Sequence, residues 1–176
     1  QRQVVAGRTF WAGNLHGQDV VAVLARIGKV AAATTATLLI ERFDVERVVF
    51  TGVAGGLGDD VNVGDVVVAS AFVQHDMDAS PLFPRHEVPL YGQGRFAADP
   101  VLCAALVQAA QHALPMSRVH EGLVASGDRF VSSAAEARAL RAALPDVMAV
   151  EMEGAAFAQV CHDFSVPFAA VRTVSD

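Results

Sequence analysis

Three carboxylates and one aromatic ring carry most of the chemistry this sequence could do. Glu151 and Glu153 flank Met152 just after the short apolar run 147–150, and Asp176 follows a second apolar run, 168–174. Acids at such positions matter because ligands of open α/β sheets bind outside the carboxyl ends of the strands. A carboxylate at Glu153 can accept hydrogen bonds from two vicinal hydroxyls, as on a ribose ring. An acid at Asp176 can protonate a leaving group if burial raises its pKa. Phe130 can stack on a flat heterocycle while the backbone at Val131 reads its hydrogen-bonding edge. Each also has a plainer reading: Phe130 as core packing, Glu151 and Glu153 as solvated acids at a helix N-terminus. Paired acids equally suggest a glycosidase, and spacing alone does not separate these cases.

Two glycine-bearing segments would bring backbone close to a ligand. After the apolar run 46–51 comes Gly52-Val53-Ala54-Gly55-Gly56-Leu57-Gly58. It is neither a dinucleotide fingerprint nor a phosphate-binding loop, since no Lys-Ser/Thr follows. A loop against a nucleoside or sugar suits it better, with a flexible turn as the alternative. Arg26-Ile27-Gly28-Lys29 then joins a strand to a helix, leaving free N–H groups that can hold a phosphate, a carboxylate or a polarised water. The loops 52–58 and 126–131 should converge with 151–153 and Asp176 at one sheet edge.

The elements that must position these groups follow from periodicity. Strands are expected at 3–15, 19–25, 46–51, 66–73, 119–125, 147–150 and 168–174, with hairpin-turn chemistry at 14–18. Trp11 is expected as a packed aromatic. Helices are expected at 30–42, at 99–114 behind an Asp99-Pro100 cap, at 133–144 behind a Ser133/Glu136 capping box, and at 155–164. Strands alternating with helices make the class α/β with a parallel or mixed sheet. The segment 74–96 lacks periodicity, as functional or interface loops do. Its His75, Asp76 and Asp78 crowd one short loop with no distant partner at ligand spacing, so no metal site is expected. Leu82, Phe83 and Leu90 suit a subunit contact.

Bulk properties narrow the classes. The chain has 176 residues, 53% hydrophobic and 18% charged, which suits one domain with a substantial core. The net charge of −6, without blocks of like charge, argues against nucleic acid and anionic membranes as main partners. No apolar run reaches the ~20 residues that span a bilayer, and the N-terminal residues lack a signal peptide's apolar region. Cys103 and Cys161 are expected as buried reduced thiols, so the cytoplasm is the expected compartment.

Five motifs in order carry a family resemblance: Ile27-Gly28-Lys29-Val30, Thr51 to Gly56, Ser126 to Val131, Val150 to Ala155, and Val171 to Asp176. Together they resemble the 5′-methylthioadenosine/S-adenosylhomocysteine nucleosidases of the nucleoside phosphorylase superfamily. The resemblance implies a single-domain, three-layer α/β/α fold around a central mixed twisted sheet. It implies hydrolysis of the N-glycosidic bond between adenine and a 5′-substituted ribose, with no cofactor and no metal. Asp176 matches the acid that protonates adenine N7, and Arg172 and Glu151 match residues near the ribose and the water. Glu153 matches the ribose grip, Met152 a side chain against the sugar, Phe130 the stacking ring, and Val131 the contact to the base edge. Ile27, Val53, Ala54 and Gly55 fall in the matching substrate loops. A homodimer is implied, with 74–96 at or near its interface.

There are departures. The family's first strand, with its water-activating glutamate, and its last helix have no counterpart within 1–176, so a partial sequence is expected, or else a degenerate relative that binds without turnover. Val53 stands where a hydroxyl is frequent, and Arg26 where a small residue is. Phe50 stands where related phosphorylases hold phosphate with an arginine, which favours water as nucleophile unless Arg26 compensates. Phosphorolysis, or hydrolysis of another nucleoside such as a futalosine-like compound, is the alternative.

Overall fold

Two sheets carry the strands of the computed structural model, which describes residues 1–176. The first is a small antiparallel sheet of β1 (Arg2–Val5), β2 (Arg8–Leu15) and β3 (Gln18–Val23). The single strand expected over 3–15 is thus broken. Ala6 and Gly7 turn the chain at φ 47° and 69°, and alanine, which seldom adopts positive φ, advertises no such turn. The second turn is the expected one: His16 and Gly17 sit at φ 49° and 85°, a pairing that matches the twist of the flanking strands. Alternation along β2 buries Phe10 and leaves Trp11 largely exposed beneath the Arg2 guanidinium. The expectation of a packed Trp11 is therefore corrected.

Helix α1 (Lys29–Phe43) leads into β4 (Val48–Gly56), β5 (Val66–Gln74) and the short β6 (Arg95–Ala97). Then come α2 (Pro100–Ala113), β7 (Val119–Ser126), α3 (Ala134–Ala143), β8 (Val147–Glu151), α4 (Gly154–Asp163) and β9 (Phe168–Val174). The second sheet is mixed, in the order β6-β5-β7-β8-β4-β9, and β5 also pairs with β9. It therefore closes on itself. Along one edge β5 is shared: Val66–Val68 pair with β9 and Ala71–Val73 with β6. A strand with neighbours on both sides reads as a nearly continuous apolar run, and β5 reads VVVASAFVQ, interrupted by Ser70 and closed by Gln74.

The segment 52–58 is less of a loop than its glycines suggest. β4 runs through Gly56, with Gly52, Val53 and Ala54 in parallel register against Arg172, Thr173 and Val174 of β9. Glycine is needed here for clearance: a Cβ at Gly52 would lie 2.7 Å from Arg172 Nη1. The expected caps form. Asp99 Oδ1 accepts from Leu102 N–H at 2.8 Å, and Ser133 Oγ accepts from Glu136 N–H at 3.2 Å.

The larger core lies between the closed sheet and α1, α2 and α4, with Phe157 stacked on Phe168 and tilted against Phe50. A smaller core of Leu57, Val73, Leu123, Leu140 and neighbours lies under α3. Cys103 and Cys161 are buried and free, and burial pushes the Cys161 thiol up to about 12. No helix is long and apolar enough to cross a membrane.

Candidate active site

Strand β8 ends at Glu151, and the side chain turns back under α4. Its carboxylate accepts from the N–H of Gly154 at 2.9 Å and from that of Glu153 at 3.1 Å. Arg172 Nη2 donates to it at 2.5 Å, and Ser126 Oγ donates to its other oxygen. Ser126 Oγ in turn accepts from Ala155 N–H at 2.7 Å. Helix α4 has no cap from its own N-cap side chain, so Glu151 and Ser126 cap it from the strand ends. A carboxylate there is favoured by the helix dipole. Arg172 is only 1% exposed and lies over the Phe50 ring, its Cζ 4.0 Å from the centroid.

Glu153 lies two residues further on, yet in a different setting. It is half-buried and accepts one hydrogen bond from outside its own turn, from Gly28 N–H at 2.8 Å. Gly28 is the N-cap of α1, at φ 92° and ψ 160°, a conformation close to glycine-only. Burial raises the Glu153 pKa first, and the charge of Glu151 adds to it; the Gly28 N–H opposes both. This is a carboxylate with unused acceptor capacity at the mouth of a helix.

Asp176 follows β9. Its backbone C=O accepts from Gly56 N–H at 2.8 Å, and Ser175 N–H donates to Ala54 O at 3.0 Å. These bonds set the Asp176 carboxylate 3.5 Å from where a Cβ on Gly55 would stand. The side chain is exposed and accepts from Ser175 Oγ. Ile27, Val53 and Phe130 are 77%, 65% and 68% exposed. These three apolar side chains, on three separate segments, are therefore open to solvent.

A family model described as the phosphorylase superfamily matches residues 1–176. The 5′-methylthioadenosine/S-adenosylhomocysteine nucleosidase of Shewanella denitrificans is 42% identical over 182 residues, covering 100% of this chain and 76% of its own. That of Anoxybacillus flavithermus is 43% identical over 173 residues, covering 98% and 74%. Among solved structures, the nucleosidase of Neisseria meningitidis in complex with methylthio-immucillin-A matches with a TM-score of 0.94 and 38% identity, covering 100% of this chain and 76% of that one. A futalosine hydrolase mutant of Helicobacter pylori matches with a TM-score of 0.90 and 34% identity, covering 99% and 78%. The chain belongs to the 5′-methylthioadenosine/S-adenosylhomocysteine nucleosidase family. The α/β class and the mixed central sheet expected from the sequence hold for this family member, with the closure of the sheet as an addition.

Within this nucleosidase-family frame, the expected residues divide into three groups. Glu151, Glu153 and Arg172 are joined by the bonds above, with Gly28 beside Ile27 completing the link to α1. Val53, Ala54 and Gly55 line up beside β9 and Asp176. Phe130 and Val131 follow Asp128, whose Oδ1 accepts from Lys29 N–H at 2.7 Å, so their loop is tied to α1, while at its start Gly127 N–H donates to Glu151 O at 3.2 Å. Val131 packs against the smaller core. Met152 is half-buried between the two glutamates.

Sequence reading singled out neither Ser126 nor Lys29 as a functional side chain. For Ser126 a signal existed, since a small hydroxyl residue ending a buried strand is placed to cap something. Asp76 and Asp78, considered above as metal ligands, have other partners: Asp76 pairs with Lys29 Nζ at 2.7 Å, and Asp78 accepts from Ser80 N–H at 3.0 Å.

Proposed function

We propose that the chain hydrolyses the N-glycosidic bond of 5′-methylthioadenosine, S-adenosylhomocysteine or a related 5′-substituted adenosine, releasing adenine. The observation that carries this reading is Glu153, half-buried at the N-terminus of α1 with acceptor capacity to spare, beside a Glu151 that has none. A ribose diol supplies the two donors Glu153 lacks. Met152 lies against the sugar, Phe130 stacks on the adenine, and the Val131 backbone reads its edge. Ile27 and the Val53-Ala54-Gly55 stretch complete the walls. Asp176, exposed in the free chain, protonates adenine N7 once the bound base covers it. As the C1′–N9 bond breaks, its electron pair leaves with adenine; water adds to C1′ and gives up a proton to solvent, from which Asp176 is reprotonated. Charge develops on the ribose in the transition state, and the Glu153 carboxylate is placed to stabilise it. Arg172 acts through Glu151, holding it on the end of α4.

Water is favoured over phosphate as the nucleophile. Phe50 lies between Arg172 and Phe157 and offers no charge, and the Arg26 guanidinium donates to Gly7 O in the β1–β2 turn. A second reading, hydrolysis of a futalosine-like nucleoside, is supported by the likeness to the Helicobacter pylori futalosine hydrolase. We further propose a homodimer in the cytoplasm. Leu82 and Leu90 are exposed on the 74–96 segment, and two buried free thiols suit a reducing compartment.

Adenine release by the full-length protein from methylthioadenosine, adenosylhomocysteine and a futalosine-like substrate, with and without phosphate, tests the reading. Adenine and the free 5′-substituted ribose are expected, at a rate independent of phosphate. Ribose 1-phosphate formed only with phosphate would refute hydrolysis. Asp176→Asn is expected to lose at least ~10²-fold in kcat, and an unchanged rate would remove Asp176 from its role. Sedimentation tests the dimer, which a monomer at micromolar concentration would exclude.

A further inference from the structure

Helix α1 begins without a side-chain cap of its own, and its first two N–H groups go to carboxylates distant in sequence. Gly28 N–H donates to Glu153 Oε1 at 2.8 Å, and Lys29 N–H donates to Asp128 Oδ1 at 2.7 Å. The Lys29 side chain continues the pattern. Its Nζ donates to Asp76 Oδ1 at 2.7 Å and to Gln74 Oε1 at 3.1 Å. Asp76 Oδ2 accepts from Asp128 N–H at 2.8 Å. Lys29, Asp128 and Asp76 thus form a closed ring of three hydrogen bonds. One side of the ring touches the residue that holds Glu153, and another lies two residues before Phe130. Gln74 is buried and donates to Gln159 Oε1 of α4 at 2.7 Å, so the helix that follows Glu153 is joined to the same network.

We propose that Lys29 is a positioning residue that sets the register between the carboxylate at Glu153 and the ring at Phe130. The inference rests on the nucleoside reading above, in which one part of the substrate lies on each. Three features support a built clamp over a chance surface pair. Lys29 and Asp76 side chains are only 18% and 27% exposed, so their attraction is less screened than that of a surface pair. Burial works to raise the Asp76 pKa, but the bonds from Lys29 and Asp128 outweigh it and hold the carboxylate below its usual range. Every bond in the ring joins segments at least 47 residues apart, so none is a by-product of local turn geometry. A nucleoside spans both ends of the clamp, whereas free adenine needs only the Phe130 end. Misplacing one end against the other should therefore penalise the nucleoside selectively.

The test compares full-length wild type, Lys29→Met, Asp76→Asn and the double variant. For each, kcat/KM for 5′-methylthioadenosine and the Kd of adenine alone are measured. For Lys29→Met, kcat/KM should fall about 10- to 100-fold while the adenine Kd moves less than about threefold. Asp76→Asn should fall comparably, and the double variant little further, because both remove one device. A kcat/KM within threefold of wild type overturns the proposal, as does an equal weakening of adenine and nucleoside, the signature of a merely structural brace. Should Lys29→Met fail to fold, the isosteric Asp76→Asn decides by the same criteria. If wild type releases no adenine, the catalytic reading has failed, and the Kd values for methylthioadenosine and adenine still decide the clamp.

Discussion

Glu151 and Glu153 are the same residue type, two positions apart, and each faces the N-terminus of a helix. Their settings differ in hydrogen-bond saturation. Glu151, on α4, accepts from two backbone N–H groups, a hydroxyl and a guanidinium, and is buried. Glu153, on α1, accepts from Gly28 and keeps capacity open. A buried carboxylate with all its acceptor sites filled has nothing to gain from a ligand. One that is half-desolvated and under-satisfied gains from each donor a substrate brings. Residue type and helix position do not distinguish the two acids; hydrogen-bond saturation does.

Removing a partner of Glu151 should destabilise the fold, whereas neutralising Glu153 should stabilise it. The largest effect is expected from Arg172→Leu, which strands the Glu151 charge in the core. It should cost about 3–5 kcal/mol of unfolding free energy, read by urea denaturation, and a loss under about 1 kcal/mol would mean that Glu151 does not depend on its partner. Ser126→Ala removes a donor to Glu151 and the acceptor for Ala155 N–H, and should cost about 1–3 kcal/mol by the same measurement. Gly28→Ala probes the open side. Its backbone conformation should cost about 1–3 kcal/mol. A Cβ there would also stand 3.0 Å from Asp128 Oδ1, so KM for the nucleoside should rise as well.

The smallest effect on stability, and the one with reversed sign, is expected from Glu153→Gln. Burial and the Glu151 charge raise the Glu153 pKa, so folding disfavours its ionised form. Its contribution to stability is full below the ordinary glutamate pKa and is lost as pH rises through the raised value. Glutamine keeps an oxygen for Gly28 N–H and carries no charge. The variant should therefore have a higher Tm than wild type at neutral pH, the gap closing in acid below the ordinary glutamate range. Turnover should meanwhile fall by about 10²-fold. A lower Tm at neutral pH would place Glu153 with Glu151 as a structural acid.

Much of this was legible in the residues, and the misses have physical causes. Asp99-Pro100 and Ser133 with Glu136 announce helix starts because capping is local chemistry. The break at Ala6 and Gly7 went unread because alanine carries no turn signal and a lone glycine inside a strand pattern equally fits a bulge. The glycines of 52–56 read as a loop, since their purpose is clearance for side chains distant in sequence: Arg172 at Gly52, Val150 and Asp176 at Gly55, Val174 at Gly56. Trp11 was misjudged because alternation names two faces of a strand without saying which one meets the core.

The sequence by itself determined the α/β alternation, the helix caps, the buried apolar strands and the short list of acids and rings that chemistry could use. Those properties depend on neighbours within a few residues. Only the tertiary structure decided that β5 and β9 close the sheet, that Glu151 is saturated by Ser126 and Arg172 while Glu153 is not, and that Lys29, Asp76 and Asp128 form one ring. Each depends on hydrogen bonds between segments far apart in the chain. Saturation of a polar group is a sum over its neighbours in space, and spacing in sequence does not contain that sum.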